Sequence, residues 1–146
     1  LEWTGHEPLL SLIDEYAKNF SLLVKQKVID SDWVEGVLDF LKIYHKKQVY
    51  FLVTATPQLE IEFILKKLKI ASYFTEIIGS PTKKSKAVKY ILDKHEINPK
   101  RVFMIGDSKI DYEAAVANHV DFYLLKTKLN HILQTQIDCH MIDHFI

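Results

Sequence analysis

The sequence has a single cysteine, Cys139, so the chain cannot form an internal disulfide, as is usual in a reducing compartment. Lys plus Arg and Asp plus Glu both number 19, and this zero net charge gives no electrostatic reason to expect a nucleic-acid or membrane partner. No apolar run approaches the roughly 20 residues that span a bilayer, and no signal peptide is visible. We therefore expect a cytoplasmic protein that binds neither nucleic acid nor membrane.

The seven histidines do not form a recognisable metal motif. His140 and His144 lie near Cys139, but the paired four-ligand spacing of a zinc site is missing. The 146 residues are 48% hydrophobic and 26% charged, which are globular values and enough for a packed core.

Strand and helix patterns alternate along most of the chain. Helical spacing predicts one or two helices over residues 7–25 and another over 33–45, with Asp32 as its N-cap. Strands are predicted at 49–53, 74–78, 102–105 and 121–125, helices at 57–68, 84–94, 110–118 and 129–134, and a last extended piece at 141–142. This alternation predicts an α/β fold with a parallel, Rossmann-like sheet and flanking helices.

The stretch from Arg101 to Asp111 is the most informative in the sequence. A buried strand ends at Gly106, and two carboxylates follow where a helix begins, Asp107 and Asp111. Ligands of open α/β sheets bind at the carboxyl ends of the strands, and paired carboxylates suit Mg²⁺. The alternative is an ordinary turn in which Asp107 or Ser108 caps the helix.

Two other strand ends carry candidate phosphate ligands. Thr54 follows the strand at 49–53 and could bind phosphate through its hydroxyl, with Ala55 contributing backbone N–H. After the strand at 74–78, a lysine could neutralise phosphate charge; the candidates are Lys83, Lys84 and Lys86. Taken singly, Thr54 is also explained as a helix cap, and each lysine as part of a solvated first helical turn.

With these motifs in this order, the chain resembles the haloacid dehalogenase-like hydrolases, and among them the phosphoglycolate phosphatases. Phe51-Leu-Val-Thr54 resembles the second family motif, the Lys83–Lys86 run covers the third, and Gly106-Asp-Ser-Lys-Ile-Asp111 matches the fourth. The resemblance covers about residues 33 to 143. The register of the following helix favours Lys84 as the motif lysine, with Lys83 and Lys86 still open.

The resemblance implies a Mg²⁺-dependent phosphatase of small phosphorylated metabolites that works through an aspartyl-phosphate. Thr54 and Lys84 would be catalytic, Ala55 would join them in binding phosphate, and Asp107 and Asp111 would hold Mg²⁺. The alternative is a non-catalytic family member that binds a partner or a phosphorylated ligand.

The nucleophilic aspartate of the family has no convincing counterpart in the sequence. Asp30 and Asp32 have the Asp-x-Asp spacing, but only two apolar residues precede them, and Asp32 is more simply a helix cap. We therefore expect residues 1–32 to be part of a helical cap and 33–146 to be a core without its central first strand. An upstream segment or a second chain would supply that strand, between the strands at 49–53 and 102–105.

Overall fold

The computed structural model describes residues 7–145, with side chains from residue 11 onward. The chain divides into two compact units, residues 1–32 and 33–146. None of the helices formed by the described residues is both long enough and apolar enough to cross a membrane.

The described residues of the first unit, 7–32, form one helix, α1 (Glu7–Ile29), where one or two were predicted. Pro8 stands in its first turn, where the missing backbone N–H costs nothing. Large apolar side chains recur at helical spacing along one face and are exposed, among them Tyr16, Phe20 and Leu23. Just after the helix, Asp30 accepts hydrogen bonds from the Gln26 amide at 2.9 Å.

The second helix, α2 (Val37–Tyr44), begins four residues later than predicted, and the predicted N-cap Asp32 is wrong. The residue at the N-cap is Gly36, whose left-handed φ of 78° interrupts helical geometry and is easiest for glycine. A Cβ at Gly36 would also lie 1.8 Å from the carbonyl oxygen of Phe145. The Phe145 N–H donates to the Glu35 carbonyl at 2.9 Å, so the end of the chain determines where α2 begins.

The rest of the chain alternates between strands and helices, as predicted. The strands are β1 (Phe51–Pro57), β2 (Glu76–Ser80), β3 (Phe103–Gly106), β4 (Asp121–Leu125) and β5 (His140–Ile142). The helices are α3 (Gln58–Lys67), α4 (Lys84–Lys94), α5 (Lys109–Ala117) and α6 (His131–Gln136). Two 3₁₀ turns, Ala71–Tyr73 and Pro99–Arg101, precede β2 and β3. Every strand pairing is parallel, so the predicted α/β class is confirmed.

Most element boundaries lie within two residues of the predicted ones. The end of β1 differs by four residues, because the strand begins at Phe51 and continues through Thr54 to Pro57. Its pairing with β2 becomes irregular after Val53, so the predicted end of the strand marks a break in the register. Thr54 therefore lies within the strand, at the start of its irregular part.

The strands form two sheets, one of β1 and β2 and one in the order β3, β4, β5. The prediction that the strands containing Val53 and Ile105 are not direct neighbours is confirmed. Within residues 7–145, β1 pairs only with β2 and β3 pairs only with β4, so both strands keep one unpaired edge.

Side-chain packing joins the two sheets where backbone pairing does not. The larger core cluster fills the space around α4, α5 and β4 and includes Ala115 and Leu124, both fully buried. Val53 of β1 packs against this cluster, although β1 belongs to the other sheet. A smaller cluster of Ile61, Leu65 and Ile70 lies beneath β1 and β2. The two sheets are thus held together through apolar contacts.

Candidate active site

The turn from β3 into α5 is organised by Ser108 and Asp111. Ser108 is the N-cap, and its hydroxyl accepts a hydrogen bond from the Asp111 N–H at 3.2 Å. In return, Oδ2 of Asp111 accepts from the Ser108 N–H at 3.2 Å and from its hydroxyl at 2.6 Å. This reciprocal capping box fixes the first turn of α5 and holds a carboxylate that is only 4% exposed.

Gly106 allows this carboxylate to lie against the end of β3. A Cβ at Gly106 would be 2.4 Å from Cβ of Asp111 and 2.7 Å from its Oδ2. No side chain fits there without moving Asp111, so the glycine that ends the strand is also required for packing.

The third element of the site is Lys84, the first residue of α4. Its Nζ lies 2.5 Å from Oδ1 of Asp111, and the two side chains are 17% and 5% exposed. A cation at a helix N-terminus is electrostatically unfavourable, and the Asp111 carboxylate compensates for it. The neighbouring candidates Lys83 and Lys86 are exposed.

The two aspartates of the turn have different surroundings. Both oxygens of Asp111 are already engaged, by Lys84 and by Ser108, whereas the Asp107 side chain is exposed. Carboxylate oxygen is the ligand type that Mg²⁺ prefers, usually from one or two protein carboxylates with water and substrate phosphate. No group of three or more metal-binding side chains occurs within the described part of the chain. The donors fit Mg²⁺ in chemistry, with Asp107 as the carboxylate open to it.

Thr54 lies in the middle of β1, where the pairing with β2 becomes irregular. Its Oγ1 accepts a hydrogen bond from the Thr56 N–H at 3.1 Å, and the two hydroxyls are also 3.1 Å apart. Ala55, between them, is exposed. Because β1 and β2 are parallel, both strands run towards the sheet edge from which the chain continues to Lys84. The resemblance also predicts that Thr54 and Lys84 converge on one phosphate near Asp107, and this stays a prediction.

Asn130 is a buried residue of the site that the sequence did not reveal. Its Nδ2 donates to the carbonyl oxygen of Asp107 at 2.8 Å and to that of Leu125 at 2.9 Å. The available signal was an asparagine in the polar turn before α6, a pattern that also describes an ordinary helix cap. Its side chain makes no capping hydrogen bond to α6, because the amide is already hydrogen-bonded to the carbonyl oxygens of Asp107 and Leu125.

The structure places Lys84 and Asp111, which belong to the stretches compared with the third and fourth motifs, in contact, and their roles stay predictions. Residues 4–125 match the model of the haloacid dehalogenase-like hydrolases. The chain belongs to this family. It is 32% identical over 101 residues to a phosphoglycolate phosphatase of Aliivibrio fischeri, covering 65% of this chain and 44% of the relative. It is 28% identical over 133 residues to one of Pseudomonas putida, covering 87% and 46%. The chain thus spans less than half the length of these relatives.

Solved structures of two hydrolases agree with the fold. A hydrolase from Streptococcus pneumoniae superimposes with a TM-score of 0.60 at 28% identity, covering 92% of this chain and 70% of that one. A haloacid dehalogenase-superfamily hydrolase from Ehrlichia chaffeensis gives a TM-score of 0.65 at 18% identity, covering 99% and 75%. At 18% identity the likeness concerns the fold alone.

Proposed function

We propose that this chain is the core of a Mg²⁺-dependent phosphatase that hydrolyses small phosphorylated metabolites through an aspartyl-phosphate. The observation that carries the proposal is the ion pair between Lys84 and Asp111, which brings the third and fourth motifs of the family together. The phosphoglycolate phosphatases among the relatives make a small phosphorylated acid the first substrate to test.

In this proposal, Lys84 and Thr54 bind the phosphoryl oxygens, and Ala55 adds its backbone N–H. The Lys84 ammonium neutralises charge as the phosphoryl group is transferred, and the buried Asp111 carboxylate keeps that ammonium in position. Asp107 holds Mg²⁺ directly, and Asp111 supports the site from the first turn of α5. When bound, Mg²⁺ neutralises charge on the phosphoryl oxygens.

The nucleophile is proposed to come from a strand that lies between β1 and β3. Unpaired backbone groups inside a domain are costly, and both strands offer an unpaired edge on the described part of the chain. Two sheets that share a core but, in the described residues, no backbone strand pairing are what the removal of one central strand would leave. The strand belongs to an upstream segment or to a second chain. Its first aspartate attacks phosphorus and the bond to the substrate oxygen breaks, the second aspartate protonates that leaving oxygen, and water then hydrolyses the aspartyl-phosphate to release phosphate.

Residues 1–32 are proposed to be part of a helical cap. In support, the chain divides at the same boundary, and α1 has an exposed apolar face suited to packing against further helices. A cytoplasmic location is part of the proposal, supported by the single cysteine.

Phosphate release tests the proposal. The chain, combined with a strand that ends in Asp-x-Asp, is incubated with 2-phosphoglycolate or p-nitrophenyl phosphate in Mg²⁺ or in EDTA. We expect turnover only in Mg²⁺ and its loss in Asp107→Asn. The matched control is Asp121→Asn, which changes an exposed aspartate at the amino end of β4. Full activity of Asp107→Asn, or equal activity in EDTA, would contradict the proposal.

A further inference from the structure

Asn130 is the most completely hydrogen-bonded side chain near the proposed metal site. Besides its two donated bonds to carbonyl oxygens, its Oδ1 accepts from the Thr127 N–H at 2.9 Å and from Nε2 of Gln134 at 2.8 Å. The residue is only 8% exposed. A buried amide with all four bonds made is costly to disturb and keeps one orientation.

The orientation of this amide is determined by its partners. Two donors face Oδ1 and two carbonyl oxygens face Nδ2, so a flipped amide would lose all four bonds. The Gln134 side chain adds a second restraint, because its Nε2 also donates to the Thr127 carbonyl at 3.1 Å. Asn130 therefore offers a fixed N–H to the Asp107 carbonyl.

The turn that carries Asp107 is thus held from two sides. On one side, the Asp111 carboxylate binds the N–H and hydroxyl of Ser108; on the other, Asn130 binds the Asp107 carbonyl. The Asp107 side chain itself is exposed. The direction in which its carboxylate points therefore depends on how firmly its peptide is held.

We infer that Asn130 is a positioning residue for the metal site, acting through the Asp107 backbone. The inference rests on the proposed function, because it takes Asp107 to be the metal ligand. Groups that orient a metal ligand without touching the metal typically contribute about 10–100-fold to metal affinity or activity. Asn130→Ala should accordingly weaken metal binding by about tenfold.

The test measures Mn²⁺ binding to the full chain by electron paramagnetic resonance, with thermal unfolding recorded for each variant. Mn²⁺ prefers the same oxygen ligands as Mg²⁺. The matched control is Asn118→Ala, because the Asn118 amide also donates to two backbone carbonyls, Ser85 at 2.9 Å and Ala114 at 2.8 Å, but not to Asp107. We expect Asn118→Ala to lose stability and keep its Mn²⁺ affinity within about twofold.

Wild-type Mn²⁺ affinity in Asn130→Ala, or an equal loss in Asn118→Ala, would overturn the inference. If Asn130→Ala does not fold, Gln134→Leu is tested in its place. This variant removes one restraint on the Asn130 amide and should weaken Mn²⁺ binding by about threefold. An unchanged Mn²⁺ affinity in Gln134→Leu would overturn the inference. Asp107→Asn distinguishes a failure of the proposed metal site from a failure of the inference about Asn130. If it binds Mn²⁺ like the wild type, the proposed metal site fails; if it loses Mn²⁺ while Asn130→Ala does not, only the inference fails.

Discussion

The Nζ of Lys84 lies 2.5 Å from Oδ1 of Asp111, although the two residues follow strands of different sheets. Lys84 begins the helix after β2, in the two-stranded sheet, and Asp111 lies in the helix after β3, in the three-stranded sheet. The ion pair therefore bridges the two sheets at the edge where the proposed phosphate site lies. The Lys84–Asp111 ion pair thus contributes to the stability of the domain and also holds the lysine of the proposed phosphate site.

Replacing Lys84 by methionine should destabilise the domain by about 3 kcal/mol. The substitution leaves the Asp111 carboxylate buried with only its Ser108 hydrogen bonds, and an uncompensated buried charge is costly. Urea unfolding of the two proteins measures the difference.

Lys89→Met on the same helix is the control, because its pair with Asp93 is 70% and 64% exposed. That change should cost less than about 0.5 kcal/mol. Equal losses in the two variants would show that the Lys84 pair has no special role.

Gly106→Ala should destabilise the domain by about 1–3 kcal/mol, because the new methyl group would overlap Asp111. A double-mutant cycle with Asp111→Gly, which removes the Cβ that the new methyl group would meet at 2.4 Å, identifies the cause. If the overlap is responsible, the double variant loses less stability than the sum of the two single variants. Strict additivity would indicate that the cost arises elsewhere.

The sequence predicted the fold class well because periodicity and turn residues carry that information locally. Helix α4 and strand β4 have their predicted bounds, and Gly106 ends β3 where an apolar run stops. The prediction that this strand is buried is wrong, because Phe103 is exposed and the other residues of β3 are only half-buried. The start of α2 was predicted wrongly because Gly36 is constrained by Phe145, which is more than 100 residues away. No local sequence pattern can indicate a contact between residues so far apart in the chain.

Candidate site residues could be predicted from the sequence because they come directly after successive predicted strands. Lys84 could be chosen over Lys83 from helix register, and its contact with Asp111 agrees with that choice. The sequence could not show that both Asp111 oxygens are engaged, nor that Asn130 binds the Asp107 backbone. Such bonds depend on how loops from separate strands meet.

Glu76 should make the stability of the domain depend on acid pH. A hydrogen bond from Lys94, the largest cause, lowers the pKa of Glu76 below its ordinary value of 4.5, and the nearby charges of Lys94 and His95 act in the same direction. A lowered pKa in the folded state stabilises the domain above the unfolded pKa, and this contribution is lost as the pH falls through the folded value.

Chemical unfolding of Glu76→Gln and wild type at several pH values checks this dependence. The stability difference should be largest near neutral pH and should shrink below about pH 4.5. Lys94→Met should weaken the same pH dependence, because it removes the largest cause and leaves the contribution of His95. A constant difference at all pH values would contradict the prediction.

Thr54 should matter for turnover through its hydroxyl. In the strand-complemented protein, Thr54→Val should lower kcat/KM by about 100-fold, the typical effect of losing one donor to a charged oxygen. Thr54→Ser keeps the hydroxyl and should retain most of the activity. Comparable losses in the two variants would point to a packing defect of β1 instead.

The dependence of phosphate release on the nucleophile of an added strand tests the central claim most directly. The chain is mixed with a peptide that carries an apolar strand followed by Asp-x-Asp, or with the same peptide in which the first Asp is Asn. Our account predicts Mg²⁺-dependent phosphate release with the Asp peptide and none with the Asn peptide or with the chain alone. Release by the chain alone, or equal release with both peptides, would contradict it.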